Sequence, residues 1–380
     1  MAATFWIDKS WRDVGLPSPA QEAKADWRAI TPARALGDSR VATIGIDPLD
    51  AQHGDTAVMV SVGSDEAIRL ARALIANGVR IVVDSDDDYF RGVLPTSTRT
   101  RFVAPAAPEA QEAFRRNQLA LIQLADIVTV STPELERLHA QHSRRVMVIP
   151  NAMEPATWPP QLDPATWPSE ADGGFRIGIA AGGVHAVDGA EIVREALAWA
   201  SSQPGVQAVL YGPDPRRMYG VEEGRSLYAA LLDEDEEGQR ETFAAIETRQ
   251  TRWTFSLLHL EGTPLLTRYR HNLGPFDVGL APIGDDPVSQ CRSHSKLVEY
   301  AMASAFPIYS DAPPYAEWDG PGIAVSSPDG FVNAVRWAVE HQDEVRELGR
   351  EARAYALTHC TIGHTIHLWR EALEPAAVLA

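Results

Sequence analysis

The alternation of short β-branched segments with helical segments constrains the fold of this chain more than any other feature of its sequence. In the first half the predicted strands are residues 40–46, 56–62, 79–83, 127–130 and 146–149, and the predicted helices are residues 64–77, 109–125 and 132–141. Gly78 fits the residue just past the first of these helices, and Thr132 is the predicted N-cap of the third. Strands and helices that alternate with short connections form a parallel sheet with helices on both faces. The first half is therefore predicted to be an α/β domain.

The same alternation returns after a proline-rich interruption. The predicted strands of the second half are residues 175–181, 207–211, 254–260, 277–281 and 306–310, and the predicted helices are residues 188–200, 233–250, 264–272, 295–305, 328–358 and 362–373. A chain of 380 residues is also longer than one ordinary core. We therefore predict two Rossmann-like α/β domains that face a central cleft, where the carboxyl ends of parallel strands bind ligands.

The domain boundaries follow from the interruption. The sequence Pro-Ala-Thr-Trp-Pro occurs twice there, at 155–159 and 164–168, and it is interpreted as an extended linker whose tryptophans pack on a domain surface or contact a sugar. The predicted units are an acceptor-side domain at 1–152, a linker at 153–174, a nucleotide-sugar-binding domain at 175–358, and a C-terminal segment at 359–380 that packs toward the first domain.

Composition narrows the class of protein. A formal net charge of −18 disfavours a protein that binds nucleic acid, because phosphate neutralisation dominates such binding. Two cysteines do not form a disulfide framework. The sequence contains no run of 18 apolar residues and no visible signal sequence, so a cytoplasmic protein without a transmembrane segment is expected.

A dense acidic segment follows the predicted strand at 79–83. It contains Asp84, Asp86, Asp87 and Asp88. Three interpretations stay open at this point: turn or helix-capping carboxylates at the edge of a cleft, carboxylates that bind acceptor hydroxyls, or ligands of a divalent metal ion.

An ordered set of short motifs marks the second half. It consists of Phe276-Asp277-Val278-Gly279-Leu280-Ala281-Pro282, then Asp286-Pro287-Val288-Ser289, Arg292-Ser293, Lys296, Glu299-Tyr300 and Pro307. With residues 176–185, 125–132 and 148–152, this set resembles the GT-B glycosyltransferases, specifically the retaining, nucleotide-sugar-dependent branch called group 1. The resemblance extends over most of residues 40–373.

The resemblance implies a hexosyltransferase-type enzyme whose donor is a UDP- or GDP-sugar and whose acceptor carries a hydroxyl. It implies no cofactor and no metal. Arg292, Lys296 and Glu299 are the implied catalytic residues. The implied donor-binding residues are Gly182, Gly183, His185, Tyr211, Ser289, Ser293 and Ser295. On the acceptor side the implied residues are Asp84, Asp86 and Asp87.

The chemistry of the helix predicted near Ser293 agrees with that comparison. Its N-terminus presents backbone N–H groups and a partial positive charge that suit a phosphate, and Ser293 and Ser295 can cap it or bind a phosphate oxygen. Lys296 in the first turn is explained by a bound anion. Glu299 lies on the same face and can accept hydrogen bonds from ribose hydroxyls. The alternative is an ordinary surface ion pair between Lys296 and Glu299.

One position departs from the pattern of that family. Many members have a glutamate that contacts the transferred sugar where this chain has Cys291. Backbone N–H groups of residues 287–291, or Asp285 and Asp286, are the candidate replacements. A metal-dependent transferase that uses the aspartate segment and a non-catalytic nucleotide-sugar-binding module are the alternative functions.

Overall fold

The computed structural model describes residues 2–8, 25–88, 90, 108–158, 174–180, 184–211, 270, 273–274 and 276–374. The first sheet contains β1 (Ala3–Asp8), β2 (Arg40–Ile44), β3 (Thr56–Val60), β4 (Arg80–Ser85), β5 (Ile127–Val130) and β6 (Val146–Val148). Their spatial order is β2-β1-β3-β4-β5-β6, and every pairing is parallel. The predicted parallel α/β architecture is confirmed for this half.

The helices of the first domain are α1 (Thr31–Leu36), α2 (Asp65–Ala76), α3 (Pro108–Leu124) and α4 (Pro133–His139). Ser64 caps α2 and Thr132 caps α4, each by accepting a hydrogen bond of 3.2 Å from a backbone N–H three residues later. The predicted cap at Thr132 is therefore confirmed. Gly78 ends the turn after α2 with φ of +78°, a conformation that glycine adopts without strain.

The N-terminal elements were missed by the sequence analysis. Strand β1 occupies a central position between β2 and β3, and the five of its residues whose burial is described, residues 3–7, are all buried. A strand buried on both faces lacks the alternation of apolar and polar residues that reveals a half-exposed strand. A π-helical turn (Asp26–Ile30) that leads into α1 was also not predicted.

The second sheet contains β7 (Phe175–Ala180), β8 (Val206–Tyr211), β9 (Val278–Ala281), β10 (Phe306–Ser310) and β11 (Ile323–Val325). Their order is β11-β10-β9-β7-β8, again with parallel pairings. The helices are α5 (Val184–Ser201), α6 (Ser295–Met302), α7 (Pro328–Glu340), α8 (Gln342–His359) and α9 (Ile362–Leu373).

Two outcomes differ from the sequence-based expectation for this half. The helical stretch predicted at 328–358 is two helices, α7 and α8, with the break at His341, and β11 was not predicted. The predicted strand at 254–260, the acidic helix at 233–250 and most of the helix at 264–272 lie outside the described residues. None of the described helices is long and apolar enough to cross a membrane.

The C-terminal helix returns to the first domain. Trp369 of α9 packs edge-on against Phe5 of β1, with ring centroids 5.5 Å apart. Met153 and Thr361 form a parallel bridge, in which Met153 N donates to Cys360 O and Ile362 N donates to Met153 O. The two chain segments that connect the domains are thus hydrogen-bonded to each other.

Candidate functional site

The carboxyl ends of the two sheets meet at a polar interface. Thr132 follows β5, and its hydroxyl donates to the carbonyl of Cys291 at 3.0 Å. Asn151 follows β6, and its amide donates to Ser293 Oγ at 3.0 Å. Both acceptors lie in the segment that connects β9 to α6. The chain therefore brings together the strand ends at which α/β sheets bind ligands.

In the second sheet the order of the strands reverses between β7 and β9, and Tyr300 of α6 forms hydrogen bonds to both of these strands. Its buried hydroxyl donates to Leu280 O at 2.9 Å and accepts from Ala180 N at 2.8 Å. A Cβ atom at Gly279 would lie 2.3 Å from the Tyr300 ring, so this close packing needs a glycine. Burial raises the pKa of Tyr300, which keeps the donating proton in place.

Helix α6 begins at Ser295, and the N-cap residue is His294, without a side-chain cap from the described residues. The suggestion that Ser293 or Ser295 caps this helix is therefore wrong. Ser293 Oγ lies 3.2 Å from Ser295 Oγ and accepts from Asn151 instead. Because the N-cap residue makes no side-chain cap, the first N–H groups and the positive end of the helix dipole suit an anion.

Two buried polar atoms beside this helix end have no hydrogen-bond partner in the described part of the chain: Ser289 Oγ and Arg292 Nε. Ser289 is fully buried, in a short 3₁₀ turn (Ser289–Cys291). An unsatisfied buried polar group costs about 1–3 kcal/mol, so native proteins leave few of them. Two such atoms close to the N-terminus of α6 make this helix end the candidate position for a polar ligand.

Lys296 and Glu299 form an ion pair with Nζ and Oε2 2.6 Å apart. The ion-pair alternative from the sequence is thus realised, but this is no ordinary surface pair, because Glu299 is only 6% exposed. Burial raises the pKa of Tyr315, while the positive charge of Arg292 lowers it and the negative charge of Glu299 raises it further. Tyr315 therefore lies near both residues. The three predicted catalytic residues are therefore brought together at one helix end.

Burial also changes the pKa of His294, the N-cap residue of α6. Burial lowers the pKa of the His294 ring to about 4. The ring is consequently neutral near pH 7, and Arg292 and Lys296 carry the positive charge here.

Cys291 is buried and clusters with Val130 and Leu135 of the first domain. Cys291, where the sequence departs from the pattern that it resembles, is therefore part of the contact between the domains. The backbone N–H groups of residues 288–292 donate to Asp286 Oδ1 and to carbonyls within the same segment. This internal bonding contradicts the expectation that they bind the sugar.

The aspartate segment is held by contacts within the protein. Asp84 lies inside β4, fully buried, where Arg28 binds both carboxylate oxygens and Thr129 Oγ1 donates to one of them at 2.7 Å. Its burial differs from the expectation of a cleft-edge carboxylate. Asp86 accepts a hydrogen bond from Ser61 at 2.9 Å, and Asp88 accepts from the backbone of Phe90 at 3.0 Å.

Arg28 is the polar residue that sequence reasoning missed. It lies in the π-helical turn, is fully buried, and also donates to Ile149 O at 2.5 Å and to Asn151 Oδ1 at 3.3 Å. Its carboxylate partner is 56 residues away in sequence, so no local pattern reveals the pair.

The roles of the other predicted site residues stay predictions. Gly182 and Gly183 lie outside the described residues, as do the side chains of His185 at the start of α5 and Tyr211 at the end of β8. The site roles of Asp86 and Asp87 stay predictions. Among the described residues, no three His, Cys, Asp or Glu side chains form a group that could hold a metal ion.

The fold can be compared with known structures. No protein-family profile and no curated protein sequence matches the chain. Among solved structures, Anabaena HepE in complex with UDP-glucose is similar over 98% of this chain and 99% of its own, with 14% identity and a TM-score of 0.57. Sucrose-phosphate synthase from Thermosynechococcus elongatus is similar over 98% of both chains, with 13% identity and a TM-score of 0.58.

A glycosyltransferase from Rickettsia africae is similar over 99% of both chains, with 11% identity and a TM-score of 0.57. At such identities the likeness concerns the fold alone. Two parallel-sheet domains and similarity over nearly the full length of these structures confirm the predicted architecture: the chain has the GT-B fold.

Proposed function

We propose that this chain is a glycosyltransferase that moves a sugar from a nucleoside diphosphate sugar to an acceptor hydroxyl. The observation that carries the proposal is the open N-terminus of α6, beside which Arg292 Nε and Ser289 Oγ are buried without a partner in the described residues. A diphosphate would accept from both groups and would face the helix dipole. The UDP-glucose held by the similar HepE structure supports UDP among the candidate nucleotides.

Each residue has a role in this proposal. Arg292 and Lys296 offset the negative charge that grows on the departing diphosphate. Glu299 accepts hydrogen bonds from the ribose, and its burial beside Lys296 keeps its carboxylate in one orientation. Ser289, Ser293 and Ser295 bind phosphate oxygens or the sugar. No cofactor or resident metal is needed, because these groups supply the positive charge.

The proposed reaction retains the configuration of the anomeric carbon. The bond from this carbon to the diphosphate oxygen breaks, and the acceptor oxygen bonds to the same face of the sugar. The acceptor proton passes to the departing phosphate oxygen, which is the base. This mechanism requires no nucleophile from the protein. The cytoplasmic location and the hexosyl class of the donor also stay predictions.

A panel of UDP-, GDP- and TDP-sugars, scored by thermal unfolding and by transfer or hydrolysis of the sugar, tests the proposal. A donor at 100 times its dissociation constant adds about 2.7 kcal/mol of stability. Arg292→Ala and Lys296→Ala should lower kcat more than they weaken binding of the donor. Arg350→Ala is the control, because it removes a cation from an exposed ion pair on α8. Full turnover in both site variants would contradict the phosphate-site assignment.

The alternative functions give different results in the same assays. A metal-dependent transferase loses activity in excess EDTA and regains it with Mn²⁺ or Mg²⁺, whereas the proposed enzyme retains it. The proposal also predicts that Asp86→Asn and Asp87→Asn change the KM of the acceptor and not the affinity for the donor. A binding module would be stabilised by the nucleotide sugar but would never release the sugar from it.

A further inference from the structure

We infer that Thr132 and Asn151, in the first domain, are positioning residues for Arg292 in the second. The inference rests on the proposed function and extends it, since it makes the acceptor-side domain a part of the donor site. It concerns how the backbone on either side of the diphosphate-binding arginine is held in place.

Two hydrogen bonds from the first domain flank Arg292. Thr132 Oγ1 donates to the carbonyl of the preceding residue, Cys291, and Asn151 Nδ2 donates to the hydroxyl of the following residue, Ser293, both at 3.0 Å. Thr132 and Asn151 are both buried, so water competes little for these bonds. The residue between the two contacts is therefore fixed from outside its own domain.

Asn151 is itself held in one orientation. Its Oδ1 accepts from Arg28 Nη1 at 3.3 Å while its Nδ2 reaches Ser293, so rotation of the amide would lose both bonds. Arg28 in turn pairs with Asp84 and lies over the ring of Trp369, 5.0 Å from its centroid. A rigid buried network thus ends at the segment that carries Arg292.

The hydroxyl group of Thr132 also makes two hydrogen bonds. Its hydroxyl oxygen accepts the hydrogen bond from Leu135 N that caps α4, and its proton goes to Cys291 O. The N-terminus of α4 and the segment that contains Arg292 are therefore joined through one atom, Thr132 Oγ1. A small displacement of Arg292 would weaken its contact with the growing charge more than it weakens binding, so kcat should respond more than KM.

The experiment uses Thr132→Val and Asn151→Ala in the full chain. Thr132→Ser keeps the hydroxyl and is the conservative rescue. Ser64→Ala is the matched control, because it removes an equivalent N-cap from α2 without touching the second domain. Hydrogen exchange of a peptide covering residues 288–296 reports the segment directly, and kcat and KM for the donor found by the nucleotide-sugar panel report its function.

We expect faster exchange of this peptide in Thr132→Val and Asn151→Ala, with kcat lowered about fivefold to tenfold and donor KM changed less than twofold. Thr132→Ser should restore both readouts, and Ser64→Ala should lower only stability. Unchanged exchange overturns the inference whatever the activity is. Altered exchange with unchanged kcat overturns it as well. A wild-type chain that binds no nucleotide sugar instead contradicts the proposed function, a result that the panel gives separately.

Discussion

The two domains both place charged side chains at the carboxyl ends of parallel strands, but they treat these charges differently. In the first domain Arg28 and Asp84 are each fully buried and satisfy each other. In the second domain Arg292 Nε and Ser289 Oγ are buried beside an open helix end without a partner among the described residues. The aspartate segment at 84–88 is therefore less informative about ligand binding than these two polar atoms.

The difference has a structural origin. Asp84 lies within a central strand, where its carboxylate is surrounded by protein and needs a cation in reach. Arg292 and Ser289 lie in a connection between a strand and a helix, where the helix end offers positive charge of its own. A charged pair that is closed within the protein stabilises the fold, whereas buried polar atoms without a protein partner beside a helix N-terminus are where we expect a ligand.

The largest effect is expected from breaking the closed pair of the first domain. Arg28→Met would leave the Asp84 carboxylate buried without a cation, at a cost of about 3–5 kcal/mol in the free energy of unfolding. Urea denaturation measures this loss. Arg350→Met, in an exposed ion pair on α8, is the matched control and should change stability little. Equal stability of the two variants would show that the Arg28–Asp84 pair does not differ from a surface pair.

A smaller effect is expected from a change in α6, at the proposed nucleotide site of the second domain. Glu299→Gln should weaken binding of the nucleotide by about 1.5–3 kcal/mol, because a carboxylate that accepts from ribose hydroxyls is lost while the fold is kept. Titration calorimetry with UDP and the other nucleotides measures it. Glu347→Gln removes a carboxylate with the same spacing to a cation but on the exposed face of α8, and it should leave binding unchanged. Comparable affinity in both variants would remove Glu299 from the site.

The smallest effect concerns pH. The pKa of His294 is lowered to about 4, so between pH 6.5 and pH 4 the unfolded chain takes up a proton that the folded chain does not. Stability is therefore lost as pH falls through this window. Because residue 294 as a whole is only partly buried, the loss should be about 1–3 kcal/mol rather than the full value of the shift.

Denaturation at pH 7 and pH 4.5 tests this expectation. His294→Gln should show a smaller difference between the two pH values than the wild type, while His53→Gln, at an exposed position, should match the wild type. The same pH dependence in all three proteins would mean that His294 is not the residue that titrates.

The predicted elements that agree with the structure are those that follow from residues close together in the sequence. Val, Ile and Thr in β3 and β5, the N-cap at Thr132, and Gly78 with its positive φ were all readable from neighbouring residues. Strand β1 was missed because burial on both faces removes its alternation. The residues of the proposed donor site were found through an ordered set of motifs around α6, and the structure brings Arg292, Lys296 and Glu299 to one helix end.

The alternation of strands and helices, and thus two parallel α/β domains, can be predicted from the order of the residues alone. The pairing of Arg28 with Asp84, the burial of Cys291 against the first domain, and the hydrogen bonds from Thr132 and Asn151 to the segment around Arg292 become visible only in the folded chain. Local elements follow from neighbours three or four residues apart, whereas these contacts join residues at least 56 positions apart, whose proximity arises only when each domain folds and the two domains meet.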